Sequence, residues 1–274
     1  MDALGNDELQ TGRSKYDAIL DSIRAEIPEQ ADRLKEEVIH RKCRDAESIK
    51  SLFSSIKDEC NSSTFPLIFF DGHGDKKQGL RLLSSEYIDW KSFNQYLEDI
   101  TYAAHGNLTV VASFCNSMSA LERPSFGKPL PCPFYYGYSD EVIAGVVRDE
   151  SQLIIESLIK SGKVDLTDKN IELYSEYDHV ISLISVLLAK FLQPQKYADN
   201  YPDLSKNKLR EIIRDDIGAA FGKTAKLNQI VTKAFDISHV IPEIVENSMH
   251  DTERKDLLLK EVQPLLERLK LENK

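Results

Sequence analysis

The sequence lacks the features that mark several large classes of protein. No apolar stretch reaches the roughly 18 residues that a membrane-spanning helix needs, and the polar, acidic N-terminus does not look like a secretion signal. Basic residues are outnumbered, with 35 Lys and Arg against 45 Asp and Glu and a formal net charge of −10. Nucleic-acid binders usually carry a basic face. We therefore expect a cytoplasmic protein with no membrane and no nucleic-acid partner.

Cysteine is also scarce, and its spacing argues against one class of site. The four cysteines form no CxxC pair, so neither a zinc site nor a thioredoxin-type redox motif is indicated. Because no secretion signal is present, we expect reduced thiols. Cys43, Cys60 and Cys132 are predicted to be small buried or loop residues. Only Cys115 is followed by small polar residues at the end of a strand-like run.

Motifs for other kinds of chemistry are incomplete. Gly222-Lys-Thr224 is similar to the end of a phosphate-binding loop, but Ile217 stands where that motif needs glycine. Ser113 has no GxSxG sequence around it, which argues against a serine hydrolase. His239 and His250 fall on or beside apolar helix faces, and we expect them at the surface or at helix caps.

Strand-like and helix-like segments alternate as far as about residue 162. Strands separated by helices predict a mainly parallel α/β sheet flanked by helices. We predict strands at residues 37–43 (an edge strand), 66–70, 80–83, 108–114 and 133–137. We predict helices after Asp45 and Asp89, and a covering helix over residues 142–158 that stops near Gly162. The segment 16–23 fits either a strand or an amphipathic helix.

The remaining sequence is predicted to be all helical. Candidate helices cover residues 170–192, 204–221, 230–248 and 251–271. In the last of these, one apolar stripe consists of Leu258, Val262, Leu265 and Leu269. We therefore divide the chain into an α/β domain at 1–163 and a helical C-terminal region at 164–274. That region either packs on the sheet as a subdomain or docks a regulatory protein partner.

Two chemically active residues each follow an apolar, strand-like run. His73 follows Phe65-Pro-Leu-Ile-Phe-Phe-Asp-Gly, and Cys115 follows Leu108-Thr-Val-Val-Ala-Ser-Phe. In a parallel sheet, the carboxyl ends of neighbouring strands meet at one edge. We therefore expect the imidazole and the thiol to converge as a general base and a nucleophile.

The glycines beside His73 fit the same chemistry. Gly72 and Gly74 allow a tight, irregular backbone at the end of the strand. A thiolate attack on a carbonyl creates an oxyanion that needs backbone N–H donors. Gly74 suits that role because a side chain there would obstruct the substrate, and the Cys115 amide is the natural second donor. The alternative is a hairpin-like turn in which the histidine is incidental.

Three segments together resemble the caspase-like cysteine peptidase superfamily. They are Leu67-Ile-Phe-Phe-Asp-Gly-His-Gly, Trp90-Lys-Ser-Phe-Asn-Gln-Tyr-Leu and Val110-Val-Ala-Ser-Phe-Cys-Asn-Ser-Met. Within that superfamily the nearest match is the bacterial CHAT-type domain, which is related to separase and more distantly to caspases. Tyr135-Tyr-Gly-Tyr-Ser-Asp-Glu-Val-Ile and the close at Ser161-Gly162 add two further landmarks. The resemblance covers about residues 35–163 and leaves out the helical region.

The resemblance implies a caspase-like fold and a cysteine endopeptidase. His73 would be the general base, Cys115 the nucleophile and a thioester the acyl-enzyme, with no metal or organic cofactor. The caspase signature Gln-Ala-Cys-x-Gly is replaced by Ser113-Phe-Cys-Asn-Ser, so we do not predict aspartate specificity. In separase and CHAT-type relatives the specificity pocket tends to be acidic and to take arginine or lysine. Asp140 is the residue that could form it here, or it caps the helix that begins near Val142.

Three hypotheses follow for the whole chain. The first is a caspase-like endopeptidase that cleaves a protein substrate, in a setting that the resemblance suggests is bacterial, such as antiviral defence or cell death. Its control would lie in the helical region or in the loop 122–132. The second is a non-catalytic scaffold that binds protein partners through its helices. The third is a thiol-dependent amidase that acts on a small substrate.

Overall fold

The structure, a computed structural model, describes residues 1–5, 7–61, 63–121, 129–192 and 237–272. Its contacts divide the chain into two compact units, Met1–Ser125 with Leu130–Ser175, and Glu176–Lys274 with Phe126–Pro129. The main division thus falls between Ser175 and Glu176, whereas the sequence predicts it after residue 163. None of the described helices is long and apolar enough to cross a membrane.

The described elements alternate between helix and strand in the first unit and are all helical in the second. In chain order they are α1 (Thr11–Glu26), α2 (Ala31–Glu37), α3 (Ala46–Glu59), β1 (Leu67–Asp71), β2 (His73–Asp75), β3 (Gly79–Arg81), β4 (Tyr87–Ile88), α4 (Trp90–Ala103), β5 (Thr109–Ser113), β6 (Phe134–Gly137), α5 (Ala144–Ser161), β7 (Glu172–Ser175), α6 (Glu176–Leu192), α7 (Ile237–Ser248) and α8 (Thr252–Glu272). Two short 3₁₀ helices, Pro28–Gln30 and Ser117–Leu121, complete the set.

The larger sheet has the strand order β1-β5-β6-β7. The first three strands are parallel and β7 is antiparallel to β6, so the prediction of a mainly parallel sheet is confirmed. The prediction that residues 170–175 are helical is wrong. Glu150 explains the turn into β7, because its buried carboxylate accepts hydrogen bonds from the Asn170 and Ile171 N–H groups at 2.8 and 3.1 Å.

A smaller antiparallel sheet, in the order β2-β3-β4, follows directly after β1. His73 is the first residue of β2 and pairs with Arg81 of β3, so the irregular, loop-like backbone predicted around His73 and Gly74 is wrong. The β2–β3 turn is held by Asp75, whose Oδ1 accepts two backbone N–H groups. Gly79 ends that turn with a φ of +107°, a conformation that favours glycine.

Successive side chains of a strand lie on opposite faces of the larger sheet, and each face has its own apolar core. On one face, α3 and α4 cover Ile68, Phe70, Val110, Ala112 and Tyr135. On the other, α1 and α5 cover Phe69, Val111 and Tyr136. The predicted helix starts hold, since Asp45 caps α3 and Asp89 caps α4 through their side chains. Gly162 ends α5 in the left-handed conformation, as predicted.

Of two segments near the N-terminus, one resolves an open alternative and the other contradicts the prediction. The segment 16–23, open between strand and helix in the sequence, lies within α1. The predicted edge strand 37–43 is wrong, because α2 runs to Glu37 and the rest forms only an isolated bridge between Asp2 and Lys42. One bridge is too short for a strand, although two backbone hydrogen bonds join Asp2 to the residues on either side of Lys42. The Asp2 carboxylate also binds the Lys42 ammonium group at 2.9 Å.

The second unit packs α6, α7 and α8 around one apolar cluster. Its most buried members are Val180, Ile184, Ile241, Val245 and Leu258. Of the predicted stripe on α8, Leu258, Val262 and Leu265 contribute to that cluster, and the Leu269 side chain lies outside the described residues. Four further segments of the sequence prediction also lie outside the described residues: the helix 204–221, residues 230–236, the Gly222-Lys-Thr224 motif and most of the loop 122–132.

One histidine in the second unit is placed differently from the prediction. His250 has a buried side chain whose Nδ1 is 2.6 Å from Oε1 of the buried Glu176, so it does not lie at the surface. The His250 backbone N–H donates to the same oxygen. His239, in contrast, is exposed as predicted. The Glu176–His250 pair therefore joins the start of α6 to the loop between α7 and α8.

Candidate active site

The strand register brings the two candidate catalytic residues to the same edge of the sheet. β1 and β5 pair in parallel, and their last partners are Asp71 and Ser113. His73 and Cys115 each come two residues after that pair. The register therefore accounts for both residues lying at one edge of the sheet, and the convergence of their side chains stays a prediction.

Gly74 fixes how closely the two chain segments approach. A Cβ built on Gly74 would lie 2.0 Å from the Cys115 carbonyl oxygen and 2.6 Å from a carbon of the Phe114 ring. Real Cβ atoms do not approach backbone that closely, so the position requires glycine. The backbone beside His73 thus lies directly against the backbone of Cys115.

His73 is half exposed and is bonded to an acidic residue that the sequence does not single out. Its Nε2 lies 2.6 Å from Oε1 of Glu8. The other Glu8 oxygen, Oε2, accepts the Gly5 N–H. The Gly5 hydrogen bond, aided by the bond to His73, lowers the pKa of Glu8 and so favours its ionised form.

The segment that carries Glu8 is itself held in place. Gln10 donates to the Gly5 and Glu8 carbonyl oxygens and accepts a hydrogen bond from Lys42 at 2.8 Å. No pattern in the sequence points to this arrangement, because Glu8 lies in a polar N-terminal stretch 65 residues before His73. Only the folded chain brings the two side chains together.

Cys115 lies in the turn after β5 and is partly buried. Its Sγ is 3.4 Å from the Val142 N–H nitrogen, which donates to it, and 3.6 Å from the Val142 carbonyl oxygen, which accepts from the thiol. In the described part of the chain, no hydrogen bond joins His73 to Cys115; each side chain has another partner. The structure thus places both residues at one edge without pairing them.

The turn after Cys115 is tied to the loop that follows β6. Asn116 has a left-handed backbone with a φ of +54°, and its N–H donates to the Asp140 carbonyl oxygen at 3.1 Å. The buried Ser117 hydroxyl donates to the Ala112 carbonyl oxygen and accepts the Tyr138 N–H. These bonds join the turn to the end of β5 and to the loop that follows β6.

The two predicted oxyanion donors differ in their surroundings. Among residues 1–5, 7–61, 63–121, 129–192 and 237–272, the Cys115 N–H meets no backbone acceptor, although the next N–H, that of Asn116, does. Gly74 belongs to β2, where it is paired with Leu80. In the described structure, no backbone acceptor thus competes with a substrate oxygen for the Cys115 amide.

Asp140 lies at the same edge as Cys115 and is exposed. The alternative that it caps the following helix is wrong, because α5 begins at Ala144 and its N-cap is Ile143, with no side-chain capping bond. The Asp140 backbone instead binds Asn116, the residue after the candidate nucleophile. Its carboxylate is therefore not committed to a helix end.

A buried ion pair anchors the chain immediately before His73. The Lys15 ammonium group contacts the Asp71 carboxylate, and their side chains are only 4% and 1% exposed. The Thr11 hydroxyl donates to the same Asp71 oxygen at 2.6 Å. Burial lowers the pKa of Lys15, and the neighbouring Asp71 charge opposes that effect. Since Asp71 is the last residue of β1, this pair fixes the point at which the chain leaves the sheet toward His73.

Comparison with protein-family models, curated proteins and solved structures found no match. The resemblance to CHAT-type domains therefore rests on the quoted residues and their order. Among the described residues, no group of three or more His, Cys, Asp and Glu side chains is placed to hold a metal ion. The chemistry available at this edge is that of one thiol, one imidazole and the carboxylates around them.

Proposed function

We propose that this chain is a cysteine endopeptidase in which Cys115 is the nucleophile and His73 the general base. The observation that carries the proposal is the β1–β5 register, with His73 and Cys115 each two residues beyond the pair Asp71 and Ser113. The close approach of the Gly74 backbone to the Cys115 carbonyl oxygen supports it, because it brings β2 against the turn that follows β5. The resemblance to CHAT-type domains points to the same reaction.

The reaction follows from the groups present. The Cys115 thiol gives its proton to His73, and the thiolate attacks the peptide carbonyl carbon. The resulting oxyanion is stabilised by backbone N–H groups, for which we propose Cys115 and Gly74. His73 then gives the proton to the leaving amine as the C–N bond breaks, and water hydrolyses the thioester. Because Sγ donates to the Val142 carbonyl oxygen, the thiol must turn from Val142 toward His73 before the first step.

A substrate with arginine or lysine before the cleaved bond is proposed from the position of Asp140. Its exposed carboxylate lies in the loop bound to the turn after Cys115, where it can face a basic side chain. A protein substrate, a cytoplasmic setting and a part in bacterial antiviral defence or cell death are proposals that come from the resemblance alone. We also propose that the helical region is the place for a regulatory partner.

A non-catalytic scaffold is the second candidate function. It is favoured by one observation: within the described residues, His73 is bonded to Glu8 and Cys115 to Val142, and no bond joins them. Such a protein would keep the fold and bind protein partners through α6, α7 and α8.

Hydrolysis of fluorogenic peptides by the full chain separates these candidates. Peptides ending in arginine or lysine before the fluorophore are expected to be cleaved, and peptides ending in aspartate are not. Cys115→Ala and His73→Ala should lower the rate by on the order of 10³-fold or more. Cys60→Ser is the matched cysteine control and should keep the full rate. No cleavage of any peptide by a chain that unfolds cooperatively would favour the scaffold.

Asp140→Asn tests the specificity proposal on its own. The substitution removes the charge and keeps the size, so kcat/KM for arginine peptides is expected to fall by about fivefold, as for loss of an exposed ion pair. Glu141→Gln is the control, because Glu141 is the next residue and is also exposed. This variant should leave kcat/KM for arginine peptides unchanged. Equal behaviour of the two variants would assign the specificity to another residue.

A further inference from the structure

We infer that Glu8 is a positioning residue that fixes the orientation and the proton position of the His73 ring. The inference rests on the proposed function, since it concerns the imidazole that would act as the base. Its basis is the 2.6 Å contact between Glu8 Oε1 and His73 Nε2.

The contact decides which ring nitrogen carries the proton. An ionised carboxylate only accepts hydrogen bonds, so Nε2 must be the donor. The neutral imidazole has one N–H group, and with the proton on Nε2 the Nδ1 atom carries the free lone pair. A general base needs such an unprotonated nitrogen, and among the described residues His73 Nδ1 has no partner. Glu8 would thus present Nδ1, and not Nε2, as the base.

Contacts other than the one to His73 already hold the Glu8 carboxylate and its backbone in place. Its second oxygen is held by the Gly5 N–H, which also helps to keep the carboxylate ionised. The segment around it is fastened by Gln10 and, through it, by Lys42. A carboxylate that is fixed by its own neighbours can hold the ring at little further entropic cost, as the third residue of a catalytic triad does.

Glu8 and His73 also share one anchor. The first two turns of α1, which begins three residues after Glu8, place Thr11 and Lys15 on the Asp71 carboxylate. Asp71 in turn precedes His73 by two residues. Both partners of the hydrogen bond therefore lie close in the chain to the same buried ion pair, which helps to hold them next to each other.

The opposite role is that of a latch, in which Glu8 holds the ring away from Cys115. The two roles predict opposite effects of the same substitution. Removing a positioning carboxylate lowers kcat, whereas removing a latch raises it. We favour positioning because Glu8 occupies one ring nitrogen and leaves the other without a partner among the described residues.

The test combines kinetics with a measurement that does not depend on activity. Glu8→Ala removes the acceptor, Glu8→Gln keeps an oxygen acceptor without the charge, and Asp7→Ala removes a neighbouring exposed carboxylate as control. For an arginine peptide, we expect kcat to fall about 10- to 100-fold in Glu8→Ala with KM unchanged, as for other residues that support a catalytic group. Glu8→Gln should recover part of the loss, and Asp7→Ala should match the unmodified chain.

Nitrogen NMR of the full chain labelled at histidine reads the ring directly. The His73 signals, identified by their loss in His73→Asn, are expected to show the Nε2–H form alone in the unmodified chain and a mixture of both forms in Glu8→Ala. An unchanged ring in Glu8→Ala, or a kcat that is equal or higher, would overturn the inference. A chain that hydrolyses no peptide would refute the proposed function, and the NMR result would still decide whether Glu8 fixes the His73 ring.

Discussion

Lys15→Ala is expected to destabilise the first unit by about 3–5 kcal/mol, the usual cost of breaking a buried ion pair from one side. The Lys15 and Asp71 side chains are 4% and 1% exposed, so the substitution leaves a carboxylate with only the Thr11 hydroxyl as a described side-chain partner. Chemical denaturation followed by circular dichroism measures the change. Lys50→Ala, at an exposed position of α3, is the control and should change the unfolding free energy by less than about 0.5 kcal/mol.

A second variant keeps this prediction testable if Lys15→Ala fails to fold. Lys15→Met combined with Asp71→Asn removes both charges and keeps both sizes, and the amide oxygen introduced by the second substitution can still accept from Thr11. The double variant should recover much of the stability that Lys15→Ala loses, because no unpaired charge remains buried. A Lys15→Ala chain as stable as Lys50→Ala would show that the ion pair does not anchor the end of β1.

Gly74→Ala is expected to remove activity and to destabilise the fold by about 2–4 kcal/mol, comparable to other strained or overpacked sites. The added Cβ would lie 2.0 Å from the Cys115 carbonyl oxygen, and backbone cannot turn away as a flexible side chain can. The β2 strand must then move from Cys115, which separates His73 from the nucleophile. Peptide hydrolysis and denaturation of the same preparation measure both effects.

Gly145→Ala is the matched control for that substitution. Apart from its own neighbouring helix backbone, no atom of the described residues lies within 4 Å of a Cβ built on Gly145, which is in the first turn of α5. Alanine is favoured over glycine in helices, so the variant should be as stable as the unmodified chain or slightly more stable. If Gly74→Ala behaved in the same way, the close approach of β2 to Cys115 would not be a requirement of the fold.

The sequence predicts the parts of the fold that depend on local patterns. The apolar runs before His73 and Cys115 become β1 and β5, and the capping residues Asp45 and Asp89 begin α3 and α4. These succeed because an apolar run or a helix cap is written in adjacent residues. The convergence at the sheet edge could be predicted for the same reason, since parallel strands bring their ends together.

The features that the sequence does not predict depend on residues distant in the chain. Residues 172–175 form a strand because they pair with β6. The turn before them is held by Glu150, which accepts the N–H of Asn170, 20 residues later in the chain. The Glu8–His73 contact joins positions 65 residues apart, and the Lys15–Asp71 pair joins positions 56 residues apart. No local spacing distinguishes these residues from other polar residues in the chain.

Labelling by a peptidyl acyloxymethyl ketone that ends in arginine tests the central claim, that His73 and Cys115 form one reaction centre. Mass spectrometry of the labelled peptide identifies the modified residue. The account predicts rapid labelling at Cys115 alone, loss of labelling in Cys115→Ala, and a rate at least about 100-fold lower in His73→Ala. Equal labelling rates in the unmodified chain and in His73→Ala, or equal modification of Cys115 and Cys60, would contradict it.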